Sequence, residues 1–153
     1  MNLTETPEYI TWPETHYVFV ERVGPFMQTA PEAWGQAHGS LPALSQSGKI
    51  VGYLSMYKRG PQIYRAGFAF DKPPASLPEG MNYELFPGGP YARFTLTGPY
   101  SQLGEASGRT WQMAKEQGLA LRDDFNIENY VNNPKDTLPE ALVTEILFPA
   151  AQI

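Results

Sequence analysis

The chain repeats its own punctuation. Val23-Gly24-Pro25-Phe26 and Thr97-Gly98-Pro99-Tyr100 each close a run with strand-like alternation, Tyr17–Val23 in the first case and Tyr91–Thr97 in the second. A Gly-Pro pair ends a strand because proline brings no amide hydrogen to the ladder. Helical spacing follows each pair: Trp34, Ala37, Leu41 and Leu44 on one face in the first half, and Leu103, Ala106, Thr110, Trp111 and Ala114 in the second. Gly48 and Gly118 stand just past these helices as C-terminal caps. Two further strand-like runs close each half. Leu54-Ser55-Met56-Tyr57 falls on Ile127-Glu128-Asn129-Tyr130, and Gly67-Phe68-Ala69-Phe70 on Glu145-Ile146-Leu147-Phe148. A duplicated strand-helix-strand-strand unit is the simplest account, and it predicts an α+β fold. The match is approximate, since Pro25 lies nine positions before Trp34 and Pro99 twelve before Trp111.

The connections fill in around this frame. Residues 1–15 are polar, hold Pro7 and Pro13, and read as an extended lead-in. Thr29-Ala30-Pro31-Glu32 has capping-box spacing with a proline early in the helix, and Gly39 and Pro42 break that helix in two. Strands at Ile50–Tyr57 and Gln62–Phe70 form a hairpin through Arg59-Gly60-Pro61. Asp71–Gly80 has three prolines and no period, which marks a linker. One domain of residues 1–153 is therefore expected, with repeat one at about 14–71, the linker at about 72–80 and repeat two at about 81–153. In the second half, Met81–Phe86 reads as an edge segment, Ser101–Gln117 as a helix and Phe125–Val131 as a strand. Asn132-Asn133-Pro134 is a turn, and Thr137-Leu138-Pro139-Glu140 has a second capping-box spacing before the final strand.

Composition excludes several classes of function. Eleven Lys and Arg, scattered along the chain, against sixteen Asp and Glu give a formal charge of -5, which argues against direct nucleic-acid binding. The same excess suits cationic guests. Without cysteine there is no disulfide, thiolate nucleophile or zinc-thiolate cluster, which fits a reducing compartment, and the cytoplasm is expected. The first residues lack a basic n-region and an apolar h-region, and no apolar run reaches the ~20 residues that span a bilayer, so a membrane is not an expected partner. His16 and His38 lie in different elements, and no metal is expected. Gly88-Gly89 sits between prolines with no Lys-Ser/Thr following, and no Gly-x-Ser-x-Gly elbow occurs, so neither a phosphate loop nor that nucleophile motif is present. Arg122-Asp123-Asp124 reads as a solvated charge cluster. No cofactor is called for.

Alternation sets the facing of candidate residues, because i and i+2 of a strand share one side. Val18, Val20, Ala92, Phe94 and Leu96 are expected to face the core, with Trp34 and Trp111 packing on them. The opposite face is expected to collect Tyr17, Phe19, Ser55, Tyr57, Tyr91, Arg93, Glu128, Tyr130 and Glu145, as an exposed aromatic patch of the kind that binds ligands. Glu128 leads this set. A carboxylate among tyrosines attracts an organic cation through charge and through cation-π contact, worth ~0.5–2 kcal/mol per ring. Facing alone leaves open whether Glu128 and Glu145 share a pocket.

The runs GPYSQL (Gly98–Leu103), ENYVNNP (Glu128–Pro134) and TEILFP (Thr144–Pro149), with their spacing, resemble the GyrI-like family, also met as the effector-binding domain of AraC-type and MerR-type transcription regulators. Val23-Gly24-Pro25-Phe26 carries a looser match in the first half. The resemblance implies two repeats with pseudo-twofold symmetry, an antiparallel sheet with helices on one side and a ligand cleft on the other. It implies binding of a small apolar or cationic molecule. Multidrug-binding members use a buried glutamate of the second repeat, which Glu128 best matches, and Glu145 matches a common acidic position of the last strand. Regulators of this type add a DNA-binding helical segment. Here nothing basic and helical precedes Tyr17, so a stand-alone sensor or sequestering domain is expected. Two alternatives follow from other members: a protein-interaction module acting on a partner such as DNA gyrase, and a hydrolase of strained-ring toxic compounds. In the latter Glu128 would serve as general base, with Tyr57 or Tyr130 donating a hydrogen bond to the leaving atom.

Overall fold

A computed structural model describes residues 1–151; the last two positions of the expected second repeat lie outside the described residues. In chain order the strands and helices are β1 (Asn2–Leu3), β2 (Glu8–Trp12), β3 (Thr15–Val23), α1 (Phe26–Gly39), α2 (Leu41–Ser45), β4 (Ile50–Lys58), β5 (Ile63–Phe70), β6 (Asn82–Phe86), β7 (Gly89–Thr97), α3 (Leu103–Glu116), β8 (Asn126–Tyr130) and β9 (Val143–Pro149). Single 3-10 turns at Tyr100–Gln102 and Pro139–Ala141 precede α3 and β9. These elements form two compact units. Named by their place in the sequence alone, the inner one is Pro13–Gly88, and the outer one joins Met1–Trp12 to the chain from Gly89 onward.

Both Gly-Pro pairs do what their chemistry requires. Gly24 and Gly98 take positive φ values of 137° and 157°, which side-chain-bearing residues rarely adopt, and the chain turns there from strand into helix. The α1 helix starts at Phe26, with Pro25 as its N-cap, so the capping box expected at Thr29–Glu32 does not form. Thr29 is already helical, and its hydroxyl donates back to the Pro25 carbonyl at 3.1 Å. Leu138 caps the Pro139–Ala141 turn without a side-chain hydrogen bond, so the second box does not form either.

The inner sheet runs β4-β5-β3-β6, and the outer one runs β8-β9-β7, with β1 and β2 both on the far edge of β7. All these pairings are antiparallel. The first fifteen residues are therefore more than a lead-in: Glu8–Trp12 pairs with Gly89–Arg93 in full register. Pro7 and Pro13 flank this strand instead of interrupting it, which an edge position tolerates. Likewise Asn82–Phe86 pairs with β3 and so belongs to the inner unit.

Register aligns the two units position by position. Val18 pairs with Phe68 and Val20 with Ala66, as Ala92 pairs with Phe148 and Phe94 with Ile146. Tyr57 pairs with Tyr64, as Tyr130 pairs with Thr144. Phe68 thus corresponds to Phe148, two places from the match read in the sequence. The helices agree, because Trp34 packs on Phe68 at 6.1 Å between ring centroids and Trp111 on Phe148 at 5.7 Å. One core gathers Val18, Val20, Ala33, Leu44, Phe68 and Phe70, and the other Phe94, Leu96, Ala106, Ile146 and Phe148. Burying each large side chain contributes roughly 1.5–3 kcal/mol.

Candidate functional site

Alternation along β8 puts Ile127 and Asn129 on one face and Glu128 and Tyr130 on the other. Register decides which face meets the helix. Glu128 stands opposite Ile146 and Tyr130 opposite Thr144, and Ile146 packs with Ala106 and Met113 of α3. Glu128 and Tyr130 therefore lie on the helix-covered side of the sheet, where the sequence reading had placed them on the other. There the Tyr130 hydroxyl donates to Glu128 Oε1 at 3.0 Å. Tyr100, in the turn that opens α3, meets the Tyr130 ring edge-on at 5.7 Å and 72°. Both strand residues are half-buried, and burial raises the pKa of the Tyr100 hydroxyl, which keeps it protonated at neutral pH.

The inner unit has a matching corner. Phe26 opens α1 as Tyr100 opens the turn before α3, and it meets Tyr57 edge-on at 5.6 Å and 73°. Tyr64 completes the cluster, 5.6 Å from Phe26 and stacked 6.4 Å from Tyr57, and its hydroxyl accepts the Trp34 indole N–H at 2.9 Å. Ser55 and Tyr57 are thus also on the helix-covered face, packed among Val20, Ala66 and Tyr64. Their expected grouping with Tyr17 and Phe19 is corrected by the same register.

The face away from the helices carries aromatic rings, but they are not exposed as expected. Tyr17, Tyr91 and Phe19 are buried, at 0%, 0% and 5% exposure. Tyr17 donates to the Leu54 carbonyl at 2.9 Å and stacks on Phe19, over whose ring Arg65 sits at 4.4 Å while pairing with Glu21 and Glu84. Tyr91 donates to the Phe125 carbonyl at 2.7 Å. Desolvation pushes both phenols well above their ordinary pKa. Arg93 joins Glu145 at 3.3 Å and Glu8 at 3.4 Å, and Asn129 donates to Glu145 at 2.9 Å. Glu128 and Glu145 lie on opposite faces of their strand pair, so they share no pocket. Of the expected site residues, the structure joins Glu128 to Tyr130, Arg93 to Glu145, and Tyr17 to Phe19, as three separate groups.

Three residues with a part in this arrangement were absent from the sequence-based set. Tyr100 was seen only as the partner of Phe26 in the repeat. Thr144 has a fully buried hydroxyl without a hydrogen-bond partner, on the helix-covered face beside Tyr130. Arg122 is no solvated charge: it donates to the carbonyls of Pro90 and Ala150, pairs with Asp124 and lies 4.8 Å above the Tyr91 ring, which fastens the β7 edge. The Gly-Pro repeat could have flagged Tyr100; Thr144 stood only at the head of the TEILFP run, and nothing in the sequence gives it or Arg122 a role.

The Glu128 corner offers a carboxylate beside two tyrosine rings, which is an arrangement for holding a positively charged or hydrogen-bonding aromatic guest. Among the described residues no helix is long and apolar enough to cross a membrane.

Comparison with known proteins bears on this reading. A family model described as the GyrI-like small molecule binding domain matches residues 5–151. No curated protein matches the sequence. The C-terminal domain of EcmrR superposes with a TM-score of 0.73 at 15% identity, covering 100% of both chains. EcmrR in a complex with DNA gives 0.75 at 13% identity, and there the present chain, fully covered, spans 59% of the other. SAV2435, solved bound to tetraphenylphosphonium, gives 0.70 at 13% identity over 94% of this chain and 93% of that one. A hydrolase from Listeria innocua gives 0.64 at 16% identity over 97% and 93%. At these identities the likeness establishes the fold: antiparallel strands with helices, as in the EcmrR domain.

Proposed function

Because the chain belongs to the family of GyrI-like small-molecule binding domains, we propose that it binds an amphipathic aromatic cation at the corner formed by Glu128, Tyr130 and Tyr100. The observation that carries this reading is the carboxylate of Glu128 held by the Tyr130 hydroxyl at 3.0 Å, with a second tyrosine ring edge-on beside it. Charge pairing adds to ring contact there, at ~0.5–2 kcal/mol per ring depending on desolvation. The family model spans both units, so we take residues 1–153 as one binding domain that acts as a sensor or sequesters its ligand.

Tetraphenylphosphonium, the ligand bound to SAV2435, is a suitable probe. A ligand that binds the native state raises the apparent stability by mass action. Tetraphenylphosphonium is expected to raise the unfolding temperature of the wild type, and the Glu128→Gln protein, which keeps the shape and loses the charge, is expected to show a smaller shift. Equal shifts in both proteins would remove Glu128 from the site. Incubation with an epoxide separates binding from hydrolysis, the reading in which water, giving its proton to Glu128, opens a strained ring while Tyr57 or Tyr130 assists the leaving oxygen: an epoxide recovered unchanged leaves binding alone. A gyrase-like protein partner would instead be found by pull-down.

A further inference from the structure

The two corners correspond in register and differ most at two strand positions, Ser55 against Glu128 and Tyr64 against Thr144. Tyr64 of β5 lies between Arg22 and Tyr57 in register, and Thr144 of β9 lies between Leu96 and Tyr130. Where the inner unit sets a phenol ring against Phe26 and Tyr57, and gives its hydroxyl the Trp34 N–H, the outer unit has a side chain smaller by a whole ring. The hydroxyl of that smaller residue is fully buried and has no hydrogen-bond partner. Such a group costs stability, and replacing it with a methyl group would remove the cost. Its presence points to a partner that arrives from outside the chain.

We propose that Thr144 is a specificity-determining residue of the ligand site, and that the ligand carries an aromatic ring with a hydrogen-bonding substituent, which takes up beside Tyr130 the position that the Tyr64 ring holds beside Tyr57. The proposal rests on the binding function assigned to the Glu128 corner and narrows it. A threonine hydroxyl donates and accepts, so a phenol, an aniline or an aryl carbonyl can each satisfy it. Thr144 is buried, so the incoming ring must reach it past a neighbour. Its two cross-strand neighbours are Leu96, which is in the core, and Tyr130, which is half-buried. Tyr130, the less buried of the two, marks the side on which the ring enters.

The test uses two matched cations, tetraphenylphosphonium and its mono-4-hydroxyphenyl analogue, titrated calorimetrically into the wild type, Thr144→Val and Thr144→Ser. The wild type is expected to prefer the hydroxylated probe by about fivefold, the scale of one neutral hydrogen bond. Thr144→Val should lose that preference and bind the two probes equally, and Thr144→Ser should keep it. Thr144→Val should also unfold no lower than the wild type. Equal wild-type affinity for the two probes, or a preference that persists in Thr144→Val, overturns the role of Thr144 and leaves the Glu128 site standing. Failure of both probes to bind the wild type overturns this proposal together with the function beneath it. A large drop in the unfolding temperature of Thr144→Val would show that the hydroxyl serves the fold, which also overturns it.

Discussion

The inner and outer units use one scaffold to reach opposite ends. Each sets an aromatic residue at the start of its helical segment edge-on against a strand tyrosine, Phe26 on Tyr57 and Tyr100 on Tyr130, with nearly the same spacing and angle. The inner corner then closes on itself: Ser55 occupies the position of Glu128, and Tyr64 that of Thr144. The Tyr64 hydroxyl is spent internally, on the Trp34 N–H. The outer corner substitutes a carboxylate and a small hydroxyl side chain at those two positions. Two units of matching register can thus differ in what they offer a ligand, and under the proposed function the differences mark the site more sharply than either unit alone.

The largest expected effect tests the scaffold. Phe68→Ala and Phe148→Ala should each cost about 3–5 kcal/mol in denaturant unfolding, as core aromatic truncations do; a silent result at either position would break the correspondence on which the comparison stands. High pH tests it next. Tyr17 and Tyr91 occupy matching positions, and burial raises both folded-state pKa values. A raised phenol contributes stability that is complete below the unfolded-state pKa of about 10 and is lost as pH rises above it, on the order of 1.4 kcal/mol per pH unit for each group. Tyrosinate absorbance should show these two rings ionising only with unfolding; early titration of either would separate the units.

Glu128→Gln should weaken tetraphenylphosphonium binding by about 1–3 kcal/mol, whereas Ser55→Ala should leave it within experimental error, and calorimetry distinguishes them. Trp34→Phe should lower stability by about 0.5–1.5 kcal/mol through the lost hydrogen bond to Tyr64, with little effect on ligand affinity. The smallest effect belongs to Glu8→Gln. Its pair with Arg93 is largely exposed, and its loss should cost roughly 0.2–1 kcal/mol, less at high salt.

Much of the frame was legible because it depends on local chemistry. The Gly-Pro pairs, the helix stripes and the alternation within β8 and β9 depend on local sterics and periods, so Glu128 with Tyr130, and Glu145 with Leu147, were correctly grouped strand by strand. Which group faces the helices depends on pairing between strands. Alternation fixes faces within a strand and is silent about its neighbours, so Ser55, Tyr57, Glu128 and Tyr130 were joined to Tyr17, Phe19, Tyr91, Arg93 and Glu145 across the sheet. The same silence allowed Phe70, instead of Phe68, to be matched to Phe148. Residues 2–3 and 8–12 were missed as strands because their order comes from the β7 edge and not from their own composition. Thr144 entered only as the first residue of the TEILFP run, and its significance appears only beside Tyr64.

The measurement that bears most directly on the central claim is an NMR titration of the labelled protein with tetraphenylphosphonium, followed through backbone amide shifts. The account predicts that the largest changes fall on Tyr100, Glu128, Tyr130 and Thr144, with Tyr91, Arg93 and Glu145 little moved. Changes centred on Arg93 and Glu145 would place the ligand on the face away from the helices and contradict the assignment of the site.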